Sequence, residues 1–205
     1  MKLYQSKRAP NPRRVRWFMA EKGIEDIEIV EVDIFGGDHR TPDYLGMAGL
    51  PTVPALELDD GTAITESIAI CRYLEHLYPE PNMFGTTPLE TAVIEMWTRR
   101  AEMMVATPLM LTVRHSHPAL AAIENQVPEI AEAQRASAER GMKMLDQRLG
   151  QSEFIAAYRT TMADIVAFTA IDFARMVKFR PADDLRHVAR WMDAMRARTA
   201  ASAGI

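Results

Sequence analysis

The chain is poor in cysteine and has no long apolar run, and each absence excludes a class of protein. One Cys among 205 residues excludes a disulfide framework and a multi-cysteine zinc site, and it fits a reducing compartment. The purely apolar stretches are only a few residues long, whereas a membrane-spanning helix needs about 20. No apolar run follows the N-terminal basic residues, so we expect no signal peptide. These absences predict a cytoplasmic protein with no membrane partner.

The chain also lacks an excess of either charge. It has 24 Lys and Arg against 28 Asp and Glu, which gives a formal net charge of −4. This balance argues against a nucleic-acid-binding protein, whose footprint is a strongly basic surface. The hydrophobic fraction of 48% is instead typical of a folded globular chain.

Glycine and methionine are distributed unequally along the chain. Six of the ten Gly lie before residue 80, and eleven of the fourteen Met lie after it. Gly interrupts short elements, whereas Met is a good helix former. Pro79 and Pro81 cannot both lie within a helix. We therefore predict a first domain over 1–78, a linker over 79–87 and a second domain over 88–205.

The two domains show different element patterns. The first alternates strands and helices in the order β-α-β-α-β-β-α, with Gly23 ending the first helix and Asp60-Gly61 forming a hairpin turn. The predicted elements are strand 2–5, helix 12–22, strand 28–33, helical turn 42–45, strands 55–58 and 63–65, and helix 67–78. The second domain is predicted to be all-helical, with helices over 88–115, 128–149, 161–179 and 184–198. Pro108 is expected to kink the first of these helices.

Val53-Pro54 is the first candidate functional feature. A proline just before a strand can adopt the cis form, which would leave the backbone N–H and C=O of Val53 free to pair with an extended peptide. An ordinary loop proline is the alternative.

Glu66-Ser67 follows the predicted hairpin and starts a helix. Backbone N–H groups at a helix start bind a carboxylate, and a Ser hydroxyl adds a donor. Glu66 can accept from an ammonium group, so the pair suits an amino-acid head group. Plain helix capping is the alternative.

Five cations lie within ten residues near the N-terminus, and no acidic residue lies among them: Lys7, Arg8, Arg13, Arg14 and Arg16. Together with a nearby helix start, they would stabilise an anion such as a thiolate, because positive charge lowers the pKa of a thiol. A solvated run of charges is the alternative.

These features, in this order, resemble the glutathione S-transferase family over nearly the whole chain. The most specific segments are Val53-Pro54-Ala55-Leu56, Glu66-Ser67-Ile68-Ala69-Ile70 and Thr161-x-x-Asp164. The resemblance implies a thioredoxin-like domain followed by a helical domain. It also implies that Thr52, Val53, cis-Pro54, Glu66 and Ser67 bind glutathione.

The same resemblance places Ala9 where Ser-type members carry the thiol-activating hydroxyl. Pro10-Asn11 resembles a bacterial and fungal subset that uses an Asn. We therefore predict that Asn11 stabilises the thiolate with its amide NH2, helped by Arg13, and that Ser6 is the alternative donor. The predicted walls of the electrophile pocket are Met103, Met104, Thr107, Leu111 and His115.

The resulting hypothesis is a transferase that conjugates glutathione to an apolar electrophile, as in detoxification. Glutathione would be the co-substrate, no metal would be needed, and a homodimer is expected by analogy. A glutathione-dependent disulfide reductase or peroxidase is one alternative. A non-catalytic binding protein with the same fold is another, since Ala9 lacks a hydroxyl.

Overall fold

A computed structural model describes residues 1–205, and the chain forms two compact units. The first contains Met1–Pro81 together with Thr199–Ile205, and the second contains Asn82–Arg198. The first unit combines a sheet with helices, and the second is helical. This architecture confirms the predicted fold class of a thioredoxin-like domain followed by a helical domain.

The first unit contains a four-stranded sheet with strand order β2-β1-β3-β4. β1 and β2 are parallel, whereas β1–β3 and β3–β4 are antiparallel. The observed element order is the predicted one. The elements are β1 (Lys2–Gln5), α1 (Pro10–Lys22), β2 (Glu28–Glu31), α2 (Pro42–Ala48), β3 (Ala55–Glu57), β4 (Ala63–Thr65) and α3 (Ser67–Leu77).

The apolar faces of β1, β3, α1 and α3 form the core of this unit. Their side chains are fully withdrawn from solvent because the strands alternate apolar and polar residues and the helices place apolar residues on one face. The members are Leu3, Val15, Phe18, Leu56, Ile70 and Leu74.

The C-terminal residues 199–205 lie against the start of α1 and group with the first unit. The domain bounds predicted from the sequence assign these residues to the helical domain. The backbone N–H of Arg8 donates to the carbonyl of Gly204 (3.2 Å). The Arg13 guanidinium donates to the carbonyl of Ala201 (3.0 Å). These two hydrogen bonds explain why the segment belongs with the first unit.

The second unit consists of five α-helices and short 3₁₀ turns. They are α4 (Pro88–Ala101), α5 (Thr107–Ser116), α6 (Pro128–Leu149), α7 (Met162–Phe173) and α8 (Arg186–Arg196). The predicted helix over 161–179 is shorter, because α7 ends at Phe173 and passes into a 3₁₀ turn over Ala174–Val177.

Just before Pro108, where a kink was predicted, a π-helical segment, Glu102–Ala106, lies between α4 and α5. Pro108 has no N–H, so it cannot bond the carbonyl of Met104 four residues earlier. Gly141 of α6 approaches this carbonyl so closely that an added Cβ would lie 2.1 Å from the oxygen. The bend therefore depends on a glycine in the neighbouring helix.

Thr161 and Asp164 form a capping box at the start of α7. The backbone N–H and the hydroxyl of Thr161 both donate to Asp164 Oδ2 (2.9 Å each). Asp164 Oδ1 accepts from the Ile155 N–H and from Trp191 Nε1 (2.9 Å each). One buried carboxylate thus joins α7 to the preceding loop and to α8.

Candidate functional site

The predicted site residues of the first unit lie at one end of its strands. Tyr4 and Thr65 both pair with Ala55, so the ends of β1 and β4 and the start of β3 coincide. Ser6, Val53 and Ser67 each lie two residues beyond these paired residues along the chain. The sheet therefore brings together residues that are far apart in sequence.

The Val53-Pro54 peptide bond is cis, as the resemblance implied. Val53 is half-buried and Thr52 is exposed. The Tyr44 hydroxyl donates to the carbonyl of Thr52 (2.6 Å). Burial raises the pKa of Tyr44 to about 12, so this phenol stays protonated and remains a donor. The loop before β3 is thus anchored to α2.

Glu66 and Ser67 form the start of α3. Glu66 is exposed and has a positive φ of 69°, a conformation that costs a non-glycine residue about 1–3 kcal/mol and is enriched at functional sites. Ser67 is the first residue of α3 and is buried. Its Oγ accepts from Nη1 of Arg14 at 3.3 Å, and this contact joins the starts of α1 and α3.

Asn11 lies in the first turn of α1, because the helix begins at Pro10 and not at Pro12 as predicted. Proline suits a first helical turn because the N–H it lacks would have no partner there. Asn11 is half-buried, and its Oδ1 is buried with no hydrogen-bond partner in the protein. A buried acceptor without a partner is costly, so this oxygen is available to a donor group of a ligand.

Arg13 and Arg14 are both buried, which the reading of the segment as a basic run did not predict. The Arg13 guanidinium lies 5.8 Å from the centre of the Trp17 ring and donates to the Ala201 carbonyl. Lys7 and Arg8 are exposed.

His39 and Arg40 were not predicted from the sequence and lie in the loop that follows β2. His39 Nε2 accepts from Arg40 Nε (3.2 Å), so Nδ1 carries the proton. Nδ1 is buried with no partner in the protein. Burial, with Arg40 beside it, lowers the pKa of His39, which favours this neutral donor. Only the burial of His39 reveals the feature, since no local pattern marks it.

The glutathione S-transferase N-terminal domain matches residues 9–77, and the glutathione S-transferase C-terminal domain matches residues 101–199. The chain belongs to the glutathione S-transferase family. Glutathione S-transferase 2 of Saccharomyces cerevisiae is 34% identical over 201 residues, which cover 97% of this chain and 86% of that protein.

Solved structures agree with this membership. A glutathione S-transferase domain-containing protein of Marinobacter aquaeolei superimposes with a TM-score of 0.91 at 37% identity, covering 98% of this chain and 99% of that one. Gtt2 from Saccharomyces cerevisiae also gives a TM-score of 0.91, at 33% identity, covering 98% of each chain. Both likenesses span the two units of this transferase-family chain.

The predicted electrophile-binding residues lie on the π segment and α5 of the second unit. Met103, Met104 and Thr107 are exposed, whereas Leu111 and His115 are half-buried. The backbone N–H of Val127 donates to His115 Nδ1 (3.1 Å). The neutral imidazole therefore carries its proton on Nε2.

A cavity of about 460 Å³ lies elsewhere in the second unit. None of the five residues predicted to bind the electrophile lines this cavity. Its walls come from the end of α5, the start of α6 and the turn after α7, and they include Thr112, Ser116, Ala131, Arg135 and Lys178.

Other potentially reactive groups contribute less. Cys71 is fully buried, and burial raises the pKa of its thiol, which makes it a poor nucleophile. No group of three or more His, Cys, Asp or Glu side chains is arranged to hold a metal ion. None of the helices combines the length and apolar character needed to cross a membrane.

Proposed function

We propose that this chain conjugates the glutathione thiolate to an apolar electrophile. The observation that supports the proposal is the Arg14–Ser67 contact. It joins α1 to α3 at the end of the sheet where the predicted glutathione-binding residues lie. In the reaction, the thiol proton passes to water. The thiolate sulfur then forms a bond to the electrophilic carbon, and the leaving group departs with the electron pair of the bond that breaks.

The γ-glutamyl head of glutathione would bind at the start of α3. Its carboxylate would accept from the Ser67 hydroxyl and from backbone N–H groups of the first helical turn. Its ammonium would pair with the exposed carboxylate of Glu66. The cysteinyl unit would pair with the backbone of Val53 in the extended loop after Thr52, since this loop lies at the same end of the sheet.

The glycyl carboxylate needs a cation or an N–H donor at the opposite end of the peptide. The loop after β2 offers the exposed guanidinium of Arg40 and the buried Nδ1–H of His39. Both groups follow a strand that ends beside β1. We assign them to this carboxylate because their chemistry complements it.

Asn11 would stabilise the thiolate. An amide has no group that takes up a proton at neutral pH, so it would act as a hydrogen-bond donor, together with the N-terminal dipole of α1 and the charge of Arg13. For the electrophile, we retain the residues predicted in the second unit: Met103, Met104, Thr107, Leu111 and His115. Methionine side chains adapt to ligands of different shape.

Capture on immobilised glutathione and conjugation of an activated aryl halide test this function. Asn11→Ala should raise the apparent pKa of the bound thiol, because it removes a donor to the charged form. We expect kcat/KM to fall at least tenfold at pH 6.5 and less at pH 8.5, since one such hydrogen bond contributes about 1.5–3 kcal/mol. The exposed Asn125→Ala is the matched control.

Ser6→Ala decides between the two candidate donors. If Ser6→Ala shifts the pH profile and Asn11→Ala does not, the thiolate donor is Ser6. If neither variant changes any thiol activity, the assigned site is wrong. Failure of the wild-type protein to bind glutathione at millimolar concentration would refute the proposed function.

Disulfide reduction measured beside aryl-halide conjugation separates the transferase from a glutathione-dependent reductase. In the reductase, the thiolate attacks a disulfide sulfur and displaces a thiolate, and a second glutathione completes the exchange. Binding of glutathione without either reaction would indicate the non-catalytic alternative, for which Ala9 gives a reason because it lacks a hydroxyl.

We propose a homodimer formed through α4. Leu89 and Met96 are exposed and spaced by seven residues, so they lie on one face of α4. Arg100 lies over the ring of Trp97 on the same helix (4.7 Å). Sedimentation should give a dimer, and Met96→Glu should give a monomer. A wild-type monomer would exclude this assembly.

A cytoplasmic location remains a prediction from the sequence.

A further inference from the structure

A seam of polar and apolar side chains joins α1 to α3 inside the first unit. The α1 positions are spaced by four residues, and so are the α3 positions, so each set lies on one helix face. Direct contacts occur at both ends: Arg14 Nη1 lies 3.3 Å from Ser67 Oγ, and Lys22 Nζ lies 2.7 Å from a Glu75 carboxylate oxygen. The seam consists of Arg14, Phe18, Lys22, Ser67, Cys71 and Glu75.

Arg14 is an unusual choice for a buried position. Its relative exposure is 2%, and a charged side chain is costly to bury unless it is hydrogen-bonded. Apolar residues of similar volume replace buried charges in other proteins without loss of stability. The burial of Arg14 therefore indicates a role beyond filling space, and its guanidinium donates to Ser67, the first residue of α3.

The direction of this hydrogen bond determines what Ser67 can do. A guanidinium has only donors, so Ser67 Oγ is the acceptor, and the hydroxyl hydrogen is left to donate elsewhere. A hydroxyl that accepts from a cation becomes a stronger donor. Ser67 is itself buried, with 4% relative exposure, so a competing water is largely excluded.

We propose that Arg14 is a positioning residue that orients the Ser67 hydroxyl toward the α-carboxylate of the γ-glutamyl group. This inference rests on the proposed function, because it assigns the cause of carboxylate recognition at that site. Arg14 acts through Ser67 and does not touch the substrate. It confers specificity for a γ-glutamyl group that carries a free carboxylate.

Lys22 supplies a matched control at the other end of the seam. Its ammonium group contacts Glu75 and also donates to the carbonyls of Tyr78 (2.6 Å) and Pro81 (2.9 Å). Its side chain is as deeply buried as that of Arg14. Lys22→Met therefore removes a buried cation from the same helix pair without touching Ser67.

The experiment compares Arg14→Met, Arg14→Lys, Ser67→Ala and the double variant Arg14→Met/Ser67→Ala in the full chain. Binding and KM are measured for glutathione and for an analogue whose γ-glutamyl carboxylate is an amide. Arg14→Met should raise KM for glutathione about five- to tenfold, the loss expected for one charge-assisted contact. We expect kcat and the affinity for the amide analogue to change less than twofold.

Three further results are expected. Arg14→Lys should recover part of the affinity, because an ammonium also donates to Ser67. The effect of Arg14→Met should disappear in the Ser67→Ala background, because Arg14 acts through that hydroxyl. Lys22→Met should leave the ratio of glutathione to amide affinity unchanged.

Each contrary outcome has a definite meaning. If Arg14→Met raises KM equally for both ligands, or does so in the absence of the Ser67 hydroxyl, Arg14 has only a structural role and the inference is wrong. If Arg14→Met fails to fold, Arg14→Lys alone decides: an unchanged affinity ratio in that variant contradicts the inference. If wild-type protein binds neither ligand, the proposed function has failed instead.

Discussion

Removal of the Asp164 carboxylate should destabilise the helical unit more than any substitution at an exposed acidic residue. This side chain is fully buried, and it accepts four hydrogen bonds of 2.9 Å from Ile155, Thr161 and Trp191. Burial raises the pKa of Asp164, and the four donors oppose that rise. In Asp164→Ala the donors remain while their common acceptor is lost.

The expected cost follows from these contacts. Each buried donor left without an acceptor costs about 1–3 kcal/mol, whereas removal of a buried carboxylate recovers several kcal/mol of desolvation. We therefore expect a net loss of about 4 kcal/mol for Asp164→Ala. Thr161→Ala should cost about 1 kcal/mol, since its backbone N–H keeps its acceptor and only the capping hydroxyl is lost.

Urea denaturation followed by far-UV circular dichroism measures these free energies of unfolding. Asp193→Ala is the control, because Asp193 is exposed and pairs only with Arg196 on the same helix. Trp191→Phe keeps an aromatic ring, although a smaller one, and removes the indole donor, so Asp164→Ala/Trp191→Phe should be less costly than the sum of the single changes by about 1 kcal/mol. A cost for Asp164→Ala within about 1 kcal/mol of the control would refute the reasoning.

Three further predictions concern other contacts. Gly141→Ala should cost about 3 kcal/mol in urea denaturation, because its Cβ would collide with a backbone carbonyl at the α4–α5 bend, and an unchanged midpoint would contradict this. The pKa of Glu90 is lowered to about 2, chiefly by its hydrogen bond with Arg159, so its contribution is present above its ordinary pKa and is lost as pH falls through about 2. Glu90→Gln should therefore be destabilised by about 1 kcal/mol at pH 7, and this difference should shrink on acidification in thermal melts. Tyr44→Phe should raise the KM for glutathione with little change in kcat, because the loop at Thr52 loses its anchor; equal losses in both constants would indicate a different role.

Local patterns predicted the elements whose signals are contained within a few residues. The strand Lys2–Gln5, the hairpin strand Ala63–Thr65 and the helix Pro128–Leu149 have the predicted bounds. Alternation and terminal Pro or Gly residues mark these elements in the sequence itself. The start of α1 was wrong by two residues, since Pro10 and Pro12 are both compatible with a first helical turn.

Long-range contacts account for what the sequence did not reveal. Arg14 belongs to a run of cations for which a solvated surface was the alternative interpretation, yet its partner Ser67 is 53 residues away and the side chain is buried. His39 gave no local signal for the same reason, because only the fold shows that its ring is enclosed. A run of charged residues in a sequence therefore predicts the sign of the local electrostatic field, but it does not predict whether the charged side chains face solvent.

The buried cation joins the two ends of the proposed glutathione site into one frame. Asn11 and Arg14 lie within four residues on α1, so the donor proposed for the thiolate and the contact that orients Ser67 belong to adjacent turns of one helix. A shift of α1 would move both together. The far end of the same helix is fixed by the Lys22–Glu75 pair at 2.7 Å, which opposes such a shift. We infer that the spacing between the thiol and γ-glutamyl contacts is set by rigid packing of α1 on α3, and that Arg14 affects glutathione recognition through Ser67 although it does not touch the ligand.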